Sequence, residues 1–168
     1  METVGFESGQ VHMVSTETFG GNLVAATSNE DFVIVDTKWE KSNVIATNIK
    51  TDSISYDHFN NNIFWVDTAT KSLKVMSEST KAVKTIVNCT QPKALHYVHS
   101  KHRLAYIDGT NLLETDMNGN EIYLLATHLP EETRGLVYVE KDGAYYFADK
   151  HFIYRYGQNE GTYSDVAR

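Results

Sequence analysis

The sequence repeats itself. Tyr56, Tyr97 and Tyr138 stand 41 residues apart, and so do Asp67, Asp108 and Asp149. Trp65, Tyr106 and Phe147 lie between them on the same period. The segments SISYDHFNNNIFWVD, ALHYVHSKHRLAYID and GLVYVEKDGAYYFAD align without a gap. One more step back reaches MVSTETFGGNLVAAT, which sets Met13 at the position of Ile54, Val24 at that of Trp65 and Ala26 at the aspartate. Phe32 and Ile34 then match Leu73 and Val75. A fixed period of this length means that one supersecondary unit recurs, and that each unit buries its apolar face against a neighbour. The units run over 13–53, 54–94, 95–135 and 136–168.

Each unit reads as four short strands. In the second they fall near Ser53–Asp57, Asn62–Asp67, Ser72–Met76 and Val83–Val87, with a turn-rich link at His58–Asn61. Such links carry hairpin chemistry. Helical periodicity is weak, and its best candidate, Glu121–Thr127, aligns with a strand in the other units. Four strands on a period of about 41 define a propeller blade. The expected fold is all-β, a β-propeller of four-stranded antiparallel blades with four blades in this chain. Val4 is in register with Ile45 and Ile86, so residues 1–12 read as the last strand of a preceding blade or a closing strand. A candidate last strand for the fourth blade lies near Thr162–Val166. The two ends compete for one role if four blades close on themselves, so the simpler reading is a portion of a larger ring.

The second and third units resemble the YWTD repeat of the low-density-lipoprotein-receptor class B family. Phe64-Trp65-Val66-Asp67 and Ala105-Tyr106-Ile107-Asp108 stand at the YWTD position, and Tyr145 to Asp149 fit it in the fourth unit. Pro92-Lys93-Ala94-Leu95 looks like the segment leading into a blade, and Asp116-Met117-Asn118-Gly119 like the NLDG turn. No unit has the full tetrapeptide. The resemblance implies a six-bladed propeller in an extracellular receptor or matrix-type protein, with a protein ligand on one loop face. A rival is the four-bladed hemopexin-type repeat, similar to Tyr145–Lys150 with Tyr154-Arg155-Tyr156.

The formal net charge of −7 excludes a basic footprint for nucleic acid and disfavours an anionic membrane surface. One cysteine, Cys89, excludes an internal disulfide framework. Met1 is followed by Glu2 rather than by a basic patch and an apolar segment, so an extracellular or secretory-pathway setting requires a leader outside this chain. Asn88-Cys89-Thr90 is an N-glycosylation sequon, compatible with that setting. The sequence contains no G-x-S-x-G, G-x-G-x-x-G, P-loop, H-E-x-x-H or C-x-x-C motif. The expectation is therefore a non-enzymatic module with no cofactor and no metal. Its partner would be a protein ligand, or further blades from flanking sequence or another chain. The alternative is a propeller hydrolase or lactonase with a channel metal.

Four residues are singled out for binding. Asp52, Lys93 and Arg134 occupy one column just before the first strand of successive blades, a polar rim at the channel mouth. Trp39 lies in a turn between the outer strands of the first unit. The column Asp67, Asp108, Asp149 reads as a repeated structural acceptor rather than a ring of metal ligands. His96, His99 and His102 are spaced by three, but on a strand and hairpin that spacing does not gather them on one face.

Overall fold

The computed structural model describes residues 11–16, 22–36, 41–157 and 162–167. The first sheet holds β1 (Val11–Thr16), β2 (Asn22–Thr27), β3 (Phe32–Asp36) and β4 (Lys41–Ala46). The second holds β5 (Thr51–Asp57), β6 (Asn62–Asp67), β7 (Ser72–Ser77) and β8 (Val83–Asn88). The third holds β9 (Pro92–Val98), β10 (Arg103–Asp108), β11 (Asn111–Asp116) and β12 (Ile122–Ala126). The fourth holds β13 (Arg134–Val139), β14 (Ala144–Ala148), β15 (Ile153–Gly157) and β16 (Tyr163–Ala167). Every sheet is an antiparallel meander in chain order. Within the segment Glu121–Thr127, Ile122–Ala126 is strand, and among the described residues the one helical element is a 3-10 turn at His99–Lys101. Val4 and Trp39 lie outside the described residues.

The first strands lie side by side, β1 on β5, β5 on β9 and β9 on β13. The fourth strands form the outer edges. This is a four-blade propeller-like arrangement. Three apolar cores fill it among the described residues, and each lies between consecutive blades.

The second strand of each blade explains the repeat. Trp65, Tyr106 and Phe147 are 1%, 2% and 2% exposed, and each packs toward the preceding blade. Trp65 meets the ring of Phe32 edge-on at 5.3 Å. Phe64 and Val66, one residue to either side, pack toward the following blade. Side chains alternate across a strand, so a strand sandwiched between two blades must be apolar on both faces. The runs Ile63-Phe64-Trp65-Val66 and Leu104-Ala105-Tyr106-Ile107 meet that demand.

The structure corrects the register of the first unit. Ile54 pairs with Trp65, whereas Val14 pairs with Ala25 and Met13 with Ala26. Val14 therefore stands at the Ile54 position, Val24 at Phe64 and Ala26 at Val66, one residue off the expected alignment. Thr27, not Ala26, takes the place of the aspartate. The match of Phe32 and Ile34 to Leu73 and Val75 holds, because Ala26 pairs with Phe32 as Val66 pairs with Leu73. The first unit's second strand is 40 rather than 41 residues from its counterpart, and the hairpin between the strands absorbs the difference. A slip of one would have turned Val24 and Ala26 to the wrong blade.

Candidate functional site

The repeated aspartates are turn and loop acceptors. Asp67 accepts the Thr70 N–H at 2.8 Å and pairs with Lys74. Asp149 accepts the N–H groups of His151 and Phe152 at 2.7 and 2.8 Å. Asp108 instead accepts those of Thr90 and Gln91, at the crossing from the second blade to the third. Thr27 does the same work in the first blade, since its Oγ1 accepts the Asp31 N–H at 3.3 Å. Among the described residues no three His, Cys, Asp or Glu side chains gather as metal ligands would.

The column Asp52, Lys93, Arg134 sits at irregularities in the first strands: register shifts between Thr51 and Ile54, near Pro92, and between Arg134 and Leu136. Bulges of this kind re-aim side chains. Lys93 is 6% exposed and its Nζ donates to the Glu131 carbonyl, in the loop ahead of β13. Burial, with Arg134 nearby, holds its pKa below the ordinary lysine value. Lys93 thus ties the third blade to the fourth, while Asp52 and Arg134 are exposed. Arg134 lines a cleft of about 420 Å³ with Glu132, Ala148, Asp149 and Lys150. Lys93 and Arg134 are brought together, and Lys93 is withdrawn from the surface. Asn88 is exposed at the end of β8, and Cys89 beside it is a free thiol that burial pushes up to about 12.

The histidines divide by role. His102 occupies a left-handed turn position, φ 51°, shared with Asn61 at 53° and Gly143 at 59°. Its Nδ1 lies 3.1 Å from the Tyr97 hydroxyl, as Asn61 Oδ1 accepts the Tyr56 hydroxyl at 3.0 Å. That pair is a repeated hairpin clasp. His96 is half-buried in β9, and burial holds it down at about 4.

His99 and His58, which share a repeat position, do something the repeat does not require. Phe59 is 60% exposed, and its ring stacks flat on His99 at 4.2 Å and 11°. His58 leans on the same phenyl ring at 4.0 Å. The turn beneath is stiff. Asp57, fully buried, accepts the Phe59 N–H at 3.1 Å and the Asn60 side chain at 2.7 Å. The result is an aromatic platform on the β5–β6 and β9–β10 turns, at the ends of the strands opposite the Asp52 column. Sequence reasoning passed over Phe59. In its column the third and fourth units carry Ser100 and Lys141 while the first, on its 40-residue spacing, carries Phe19, so an aromatic turn residue in two of the four units was the signal in the sequence.

Across 96% of its length the chain superposes on a chain of the nidogen/laminin complex, with a TM-score of 0.80 at 10% identity, and it spans 65% of that chain. It matches an auxiliary nutrient binding protein of Bacteroides thetaiotaomicron at 0.75 and 11% identity, over 95% of this chain and 42% of the other. A second such protein, from Bacteroides ovatus, matches at 0.71 and 14% identity, over 94% and 40%. The chain thus spans less than two thirds of each. No family model matches the sequence, and no curated protein does. What these structures share with the chain is a propeller-like fold.

Proposed function

We propose that the chain is a non-enzymatic protein-interaction module, a YWTD-like propeller portion that binds a protein ligand on its loop face in an extracellular setting. The observation that carries the reading is the Phe59 platform. A large apolar ring held in the open by a buried aspartate is preorganised for contact, and aromatic anchors dominate interface energetics. The likeness to a chain crystallised in a nidogen/laminin complex supports a protein partner. The exposed Asn88 sequon supports the setting. In this reading Lys93 serves the fold rather than the ligand.

The test is capture of the chain by arrayed extracellular-matrix and receptor ectodomains, followed by titration of each partner found. Phe59→Ser should weaken binding by at least tenfold with an unchanged thermal midpoint. Absence of any partner from the array, or partners indifferent to Phe59→Ser, would count against the platform. Expression through a mammalian secretory pathway should add glycan mass at Asn88. Hydrolysis of ester or lactone substrates by the metal-loaded protein would favour the enzyme alternative.

A further inference from the structure

The outer strands carry one departure from the repeat. Pairing with the third strands sets Ser42, Val83, Ile122 and Tyr163 at one position, Asn43, Lys84, Tyr123 and Ser164 at the next, and Val44, Thr85, Leu124 and Asp165 at the one after. In β4, β8 and β16 two of the three side chains are hydroxyl, amide or charged groups. In β12 all three are apolar or aromatic, and Ile122, Tyr123 and Leu124 are 48%, 49% and 58% exposed. The backbone of this edge is open as well. The Asp116 N–H donates to the Glu121 carbonyl at 3.2 Å. Backbone direction alternates along a strand, so Glu121 and Tyr123 turn their N–H and C=O groups toward β11, and Ile122 and Leu124 turn theirs to the perimeter. Sheets commonly guard such edges with charge. β8 does so with Lys84, whose Nζ donates to Asn118 Oδ1 of the third blade at 3.1 Å.

We infer that β12 pairs antiparallel with β12 of a second copy of this chain, across a two-fold axis at Tyr123. The side chains choose the occupant. A two-fold axis makes the patch its own partner and sets the middle residue opposite itself. Ile122 and Leu124 of one copy then exchange backbone hydrogen bonds with Leu124 and Ile122 of the other. Tyr123 meets Tyr123 in the closer, non-hydrogen-bonded kind of pair, and an aromatic cross-strand contact of that kind is stabilising. The ring is already held in place. The Arg103 guanidinium lies 4.7 Å from its centre, and Arg103 Nη2 donates to Glu121 Oε2 at 2.8 Å. The same operation on β8 would set Lys84 against Lys84, like charges directly opposite. Each chain carries a formal charge of −7, so two copies favour a contact strip without charge. Ile122–Ala126 has no charged residue, and Glu121 neutralises the neighbouring Arg103. The edge lies on the perimeter, outside every joint between blades.

This inference does not rest on the Phe59 platform. Sedimentation equilibrium of the 168-residue chain should show monomer and dimer in exchange. The amides of Ile122 and Leu124 should exchange with solvent at least tenfold more slowly in the dimer than in dilute protein. Tyr123→Lys puts the β8 residue into β12 and should weaken the dimer at least tenfold, with the thermal midpoint of the dilute monomer unchanged. Leu124→Asp, the β16 residue at its position, should do the same. Asn43→Lys, the matching change in β4, should leave the dimer as it is. A chain that stays monomeric overturns the inference, including one whose β12 takes up the strand of another protein. So does a dimer that survives both β12 variants. So does one that protects the amides around Ile153 instead, a residue 45% exposed where its counterparts Phe32, Leu73 and Leu112 are 0% exposed.

Discussion

The joint between the second and third blades and the joint between the third and fourth are built on the same column with opposite chemistry. Phe64 pairs with Val75, and that position adds an apolar side chain to the joint; Ile34 does so one blade earlier. In the third blade Ala105 pairs with Glu114, a carboxylate 5% exposed. It is answered from both sides. Lys101 Nζ stands 3.0 Å from Glu114 Oε1, and the Tyr145 hydroxyl of the fourth blade donates to the same oxygen. Lys101 also donates to the Tyr145 hydroxyl at 2.8 Å and lies 4.5 Å from the centre of the Tyr138 ring. Burial and the adjacent carboxylate push the Tyr145 hydroxyl well above the usual tyrosine range. An apolar joint accepts any surface of the right shape. A joint with a buried carboxylate accepts only a neighbour that brings the matching donors, because an unpaired buried charge is expensive.

The largest effect should come from the apolar kind of joint. Trp65→Ala removes a side chain 1% exposed and should cost roughly 3–5 kcal/mol in urea denaturation. A loss under about 1 kcal/mol would place the indole outside the core.

The polar joint should respond differently to single and double changes. Lys101→Met leaves Glu114 buried without its cation and should cost about 3 kcal/mol. Adding Glu114→Leu removes the buried charge and should restore part of that loss, the remainder of about 1–3 kcal/mol being the Tyr145 hydroxyl left without its partners. Equal losses in the single and double variants would show that Lys101 acts through its packing on Tyr138 alone.

His96 adds a pH dependence on the same side of the third blade. Burial holds its folded pKa at about 4, against an ordinary 6.5, with Glu140 offsetting part of the effect. The unfolded chain therefore takes up the proton first as pH falls. The contribution is fully present above pH 6.5 and is lost progressively toward pH 4, by about 2–3 kcal/mol in all. Denaturation midpoints measured across that window should decline in the parent and decline less in His96→Leu. Parallel curves would mean that His96 does not report the joint. The smallest effect should come from the exposed Lys150–Glu132 pair, both 62% exposed: Lys150→Ala should leave the midpoint unchanged within error.

Much of the fold was legible because a repeat leaves its period in the chain. The strands of the second unit, the strand at Ile122–Ala126 and the burial of Trp65, Tyr106 and Phe147 all followed from columns 41 residues apart. The site was less legible. Lys93 and Arg134 share a column, yet one is buried beneath the next blade's loop and the other borders an open groove. Only the neighbour distinguishes them, and the column carries no record of which blade has one.

What the amino-acid order determined by itself was the local unit: alternation that fixes strands, turn residues that fix hairpins, and the aspartates at 67 and 149 that clasp their turns. These depend on contacts within a few residues. Tertiary structure decided the rest. It set the first unit one residue from the alignment, because facing the correct blade matters more to Val24 and Ala26 than keeping the period. It turned Glu114 into a cross-blade acceptor, and it raised Phe59 onto His99. It also left Ile153 open where Phe32, Leu73 and Leu112 are closed. Each outcome depends on which blade stands alongside, and that is a relation between segments some 40 residues apart that no single segment encodes.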